Sequence, residues 1–193
     1  MQRPQICPDD RQGTSGFLVY VNGALHKGAT VLTPTDKYRL ISEWLARAHP
    51  VPQQAHTEWS RQGVALLPLG ERFAAVRLAG ELVHAAIGCA EPSAVAVALQ
   101  ERLPGPIIHD HRTTGPTYYA LIPWHAGLVW DYGEKAPCLL GETYLGVPRL
   151  DRREPPGTYW VLRPRYDGHL CRPQSVRDLI DAGCRALAPH ESD

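Results

Sequence analysis

The chain lacks the short motifs by which many enzymes can be read. It has no G-x-x-x-x-G-K-[ST] and no G-x-G-x-x-G, so the usual glycine-rich phosphate cradles are missing. It has no G-x-S-x-G nucleophile elbow. No run of about 18 apolar residues occurs, which excludes a membrane-spanning helix. No apolar segment follows Met1, so no secretory signal is expected. Cysteine is sparse and odd in number: Cys7, Cys89, Cys138, Cys171 and Cys184 contain no C-x-x-C. That pattern argues against a disulfide framework or a zinc knuckle, and for reduced thiols in a cytoplasmic protein. Lysine is nearly absent. Lys27, Lys37 and Lys135 stand against 17 arginines, a bias that, with abundant Ala and Pro, marks a GC-rich bacterial coding sequence. Excess charge is missing too, with 20 basic and 20 acidic residues. A balanced total excludes a polybasic membrane binder or nucleic-acid coat but leaves room for a local basic groove.

What is present is the rhythm of a small folded domain. The 193 residues are 44% hydrophobic, enough for one domain with a proper core. Gly 17 and Pro 18 imply many short elements separated by turns. Residues 1–33 read as a polar tail and a β-hairpin, with strands over Phe17–Val21 and Ala24–Leu32 around an Asn22-Gly23 turn. Residues 34–188 read as the main domain and 189–193 as a tail. Thr33 or Thr35 caps a first helix in which Tyr38, Ile41, Leu45 and Ala48 recur at helical spacing. A short helix over residues 53–62 carries Trp59. Trp44 and Trp59 are read first as anchors of these helices on a sheet, with base stacking as the alternative.

Gly63–Gly70 and Phe73–Leu78 read as two buried strands joined by a short turn. Helices are expected over Glu81–Ile87, Pro92–Leu103 and Pro173–Leu187, the last with Val176, Leu179, Ile180 and Cys184 on one face. Ile107–His109 and Thr117–Ile122 suggest an antiparallel pair. Further strands are expected near Gly127–Trp130, Tyr144–Val147 and Thr158–Arg163. The order is mixed rather than strictly alternating, which predicts an α+β fold with a largely antiparallel sheet.

Two constellations carry candidate chemistry. In an extended segment His109 and His111 share a face and are spaced to hold one metal, with His125, His84 or Asp131 as the third ligand. The alternative is a polar hairpin loop of ordinary composition. The second is an arginine bias in the C-terminal third, where Arg149, Arg152, Arg153, Arg163, Arg165, Arg172, Arg177 and Arg185 interleave with Tyr159, Trp160 and Tyr166. Arginines and aromatics together suit phosphate contacts and base stacking. Asp151, Glu154, Asp167, Asp178 and Asp181 lie among them, so ordinary surface pairing is the alternative.

Three stretches, in order, resemble the bifunctional primase-polymerase domain of the archaeo-eukaryotic primase superfamily, and most of all its small, divergent actinobacterial members. They are Gln62–Leu78, Gly105–Ile108 with Thr113–Tyr119, and Leu145–Pro148 with Pro155–Trp160. The likeness covers roughly residues 38–187. It implies a primase-polymerase-like fold and a place in DNA replication. Active members of the family set two acids at alternate positions of the second strand to hold divalent metals. Here those positions fall near Val76-Arg77-Leu78-Ala79. The family's glycine-rich turn leads to a phosphate-contacting His, which is missing from Thr114–Tyr119. Two-metal phosphoryl transfer needs carboxylates. The resemblance therefore implies a non-catalytic module without a cofactor, binding nucleic acid, a nucleotide or a protein partner. Its candidate contacts are Arg149, Arg152, Arg153, Arg163, Arg165 and Trp160. The alternatives are a divalent-metal enzyme built on His109 and His111, and a pure protein-interaction module.

Overall fold

The computed structural model describes residues 18–21, 24–27, 33–112 and 115–188. The chain separates into two compact units, residues 1–36 and 37–193. In the first, β1 (Leu18–Val21) pairs antiparallel with β2 (Ala24–Lys27), and Val21 lies opposite Ala24. The expected Asn22-Gly23 turn and the return beyond Lys27 lie outside the described residues. Thr33 and Asp36 form a reciprocal cap: the Thr33 hydroxyl accepts from the Asp36 N–H at 3.1 Å, and the Asp36 carboxylate accepts from the Thr33 N–H at 3.2 Å.

The second unit is α+β. Helix α1 (Pro34–Ala46) runs into it and is followed by α2 (Pro52–Gln62), β3 (Val64–Pro68) and β4 (Phe73–Ala79). Then come α3 (Gly80–Ile87), α4 (Pro92–Arg102), β5 (Ile107–Arg112) and β6 (Gly115–Pro123). The short helix α5 (Trp124–Gly127), β7 (Cys138–Leu139), β8 (Tyr144–Pro148), β9 (Tyr159–Leu162) and α6 (Pro173–Leu187) complete it. Five strands form one antiparallel sheet in the order β7-β4-β6-β5-β9. β3 and β8 form a separate antiparallel ribbon.

Both faces of the five-stranded sheet are covered. One buries Val76, Leu78, Ile107 and Ile122 beneath Leu82 and Val83 of α3, Val95 and Leu99 of α4, and Val176, Leu179 and Ile180 of α6. The other buries Phe73, Ala75, Ile108, Leu121 and Trp160 beneath α1, α2 and the β3–β8 ribbon. β4 is therefore apolar on both faces along most of its length. This explains a sequence that runs Phe-Ala-Ala-Val without alternation.

β3 and β4 are joined by a short turn, as expected, and belong to different sheets. At Gly70 (φ +103°) the chain crosses between sheets, and a Cβ there would lie 2.7 Å from the Gly141 nitrogen. Gly127–Trp130 is not a strand. Its segment begins as α5, and the Trp130 indole donates to the Ala136 carbonyl at 2.8 Å, so tertiary contacts override the local strand propensity. The four cysteines among the described residues are free thiols.

Helix α6 lies close enough to α3 that a Cβ on Gly183 would sit 2.5 Å from the Leu82 carbonyl oxygen. Gly183→Ala is accordingly expected to force the two helices apart and cost about 1–3 kcal/mol. Chemical denaturation of the two proteins, compared at constant m value, measures it.

Candidate functional site

Three of the predicted arginines converge. A cleft of about 470 Å³ is lined by Gln100 of α4, Pro104 and Gly105 just beyond it, Val161 and Leu162 of β9, and Arg153, Arg163, Arg165 and His169. Among the described residues no Asp or Glu lines it. The Arg163 guanidinium lies over the Tyr38 ring at 4.8 Å, which orients it without neutralising it. His169 is buried and acts as a strut. Its Nδ1 accepts the Arg165 backbone N–H at 3.1 Å, and the ring also bonds to the Pro104 backbone. Burial lowers the pKa of His169, which keeps the imidazole neutral and able to accept. The cleft floor is rigid because Gly105 packs directly on Cys171, whose N–H donates to the Leu121 carbonyl at 2.8 Å.

The other predicted contacts lie elsewhere. Arg149 is held by both oxygens of Asp151, at 2.6 and 2.8 Å. Arg152 reaches back into the fold. It donates to the Pro156 carbonyl at 2.6 Å and to the Gln62 carbonyl at 3.4 Å, tying the end of α2 to the loop before β9. Trp160 is a correction. It is 1% exposed, and its indole donates to the Pro148 carbonyl at 2.8 Å, so it offers no face to a base. Its place in an apolar strand, Tyr-Trp-Val-Leu, is the signal that favoured the core.

His109 and His111 share a face of β5, as the spacing requires, while Asp110 points to the opposite face and accepts from the Thr158 hydroxyl at 3.1 Å. The two imidazoles differ sharply. His109 is buried in an aromatic cage, 4.8 Å from the Tyr118 ring and 4.9 Å from Tyr159, and its Nδ1 has no hydrogen-bond partner among the described residues. His111 is exposed, with its ring 6.0 Å from that of His109. Of the proposed third ligands, His84 bonds the Tyr118 hydroxyl at 3.1 Å and Asp131 pairs with Arg177. His125 follows the far end of β6. Among the described residues no three His, Cys, Asp or Glu side chains form a group able to hold a metal ion. The pair alone is short of the three or more protein ligands of a zinc-type site.

The β4 residues Val76-Arg77-Leu78-Ala79 do not fit a divalent cation either. On β4, Arg77 and Ala79 face one side of the sheet, with Val76 and Leu78 buried on the other. Ala79 lies opposite Thr117, which in turn lies opposite Asp110. The row next to Arg77 thus holds a single buried carboxylate, not a pair. No family model, no curated protein and no solved structure matches this chain. Among the described residues no single helix is long and apolar enough to cross a membrane.

Two outcomes are expected. Burial lowers the pKa of His109 and His84. The unfolded chain takes up protons near the ordinary histidine value of about 6.5 while the folded protein resists, so stability falls as pH drops below that value. Thermal melts should show a Tm that declines between about pH 7 and pH 5, with a shallower decline for His109→Leu. Arg152→Ala should lower stability by about 1–2 kcal/mol while leaving the arginine cleft intact. Denaturant titration reads the first effect and anion binding the second.

Proposed function

We propose that this chain is a non-catalytic, primase-polymerase-like module that binds nucleic acid through the arginine cleft. The observation that carries the reading is the convergence of Arg153, Arg163 and Arg165 on one concavity with no facing carboxylate. Guanidinium groups match phosphate geometry, and a site without opposing acids keeps their field unneutralised. The His169 strut supports it further, because it fixes the backbone at Arg165 before any ligand arrives. The lack of nucleotidyl transfer is supported by Arg77 on β4, which repels a cation where the family's reaction needs two.

Binding of labelled DNA, followed by fluorescence anisotropy over a range of salt concentrations, tests the reading. The affinity should fall as salt rises. The double variant Arg163→Ala/Arg165→Ala should reduce the salt slope by about 1.4 on a single strand, the value for two lost phosphate contacts. An unchanged slope and affinity in that variant sinks the assignment. Primer extension with magnesium or manganese should give no product.

A further inference from the structure

A second concavity, of about 380 Å³, opens between α1, the β3–β4 turn and the start of α5. It is lined by Trp44, Arg47, Glu71, Arg72 and Trp124. Trp124 is 41% exposed, and its one ring neighbour among the described residues is the adjacent His125, edge-on at 5.9 Å. A tryptophan exposed to this extent leaves part of its indole open to solvent. Trp44 differs: it packs on Phe73 at 5.9 Å from inside and still lines the hollow. Arg47 and Arg72 are exposed and make no ion pair among the described residues, not even with Glu71 beside them. The hollow therefore combines two indoles with two unneutralised guanidinium groups and one carboxylate.

Nor is it remote from the arginine cleft. A Cβ on Gly168 would lie 3.9 Å from the Trp44 indole nitrogen, and Gly168 belongs to the loop that carries Arg165 and His169. Tyr38, which orients Arg163, lies on the same helix as Trp44, and Arg47 directly follows that helix. Exposed Tyr166 stands in the loop between, its ring 4.7 Å from His169. The two concavities are thus linked through α1 and the loop that carries Gly168.

We infer that the Trp44–Trp124 hollow is a stacking subsite for an unpaired nucleobase, with Arg47 and Arg72 on its phosphates. This rests on the nucleic-acid reading of the cleft and gives it a direction. The ligand is single-stranded, because a base held in a duplex cannot enter between side chains. Stacking on an aromatic ring is tolerant of sequence, since every base has a π face. The subsite therefore selects strandedness rather than sequence.

Three probes separate the contributions: an oligothymidylate, an abasic strand with the same number of phosphates, and a duplex of the same length. The full chain should bind the oligothymidylate most tightly. Trp124→Ala should weaken that binding by roughly 5- to 140-fold, the range for one lost base stack, and leave the salt slope unchanged. It should leave the abasic strand unaffected, and Trp124→Phe should restore part of the loss. Arg163→Ala/Arg165→Ala should weaken all three probes. If Trp124→Ala binds the oligothymidylate like the wild type while the arginine variant loses it, the stacking subsite is overturned and the cleft stands. Equal weakening of the abasic strand by Trp124→Ala overturns it as well. No binding of any probe by the wild type at low salt overturns the cleft reading, and this one with it.

Discussion

Two buried indoles hold the main unit together. Trp59 of α2 and Trp160 of β9 donate to the consecutive carbonyls of Val147 and Pro148, at 2.9 and 2.8 Å. A two-stranded ribbon is marginal by itself, and the β3–β8 pair has no further strand beside it. It persists because its inner face, with Ala65, Leu67, Leu145 and Val147, is buried against the five-stranded sheet. The Trp160 indole satisfies the Pro148 carbonyl, which points away from β3, while the Trp59 indole adds a second donor to the Val147 carbonyl, which faces Ala65 in the ribbon. One tryptophan comes from a helix and the other from the sheet, so the same two bonds join all three elements.

That arrangement also determines where the arginines go. With Trp160 anchored inward, the loop before β9 is fixed at its end, and the Trp160 N–H donates to the Arg152 carbonyl at 2.9 Å. Arg152 is consumed in closing this loop, whereas its neighbour Arg153 faces the cleft. Past β9, the chain turns through Arg163 and Arg165 and is caught by His169 and Cys171 against the Pro104–Gly105 turn. The cleft therefore follows from two attachments of the chain, one on each side of β9.

The fold was legible where a pattern is local. The caps and spacing of α1, the Pro starts of α4 and α6, and the apolar faces of those helices depend on residues a few positions apart. Gly127–Trp130 misled because its Leu128-Val129-Trp130 run suits a strand, while the bond from Trp130 to Ala136 and the close approach of Gly127 to Leu140 favour a turn. The two-residue β7 is too short to leave a period.

For the candidate site, the residue types were legible and the geometry was not. The arginine bias and its aromatic company stand in the sequence, and so do the H-x-H pair and the missing acids of β4. Alternation along a strand correctly places His109 and His111 on one face, because that rule is covalent. Which arginines are free depends on partners far away in sequence. Arg149 meets Asp151, Arg152 meets Gln62 across 90 positions, and Arg163 meets Tyr38. The order of residues sets the chemistry on offer: cations, aromatics, and a β4 strand without carboxylates. Which of these groups stay unneutralised and converge is settled by the fold. Neutralisation and convergence are properties of distance between side chains, and distance across the fold is set by packing.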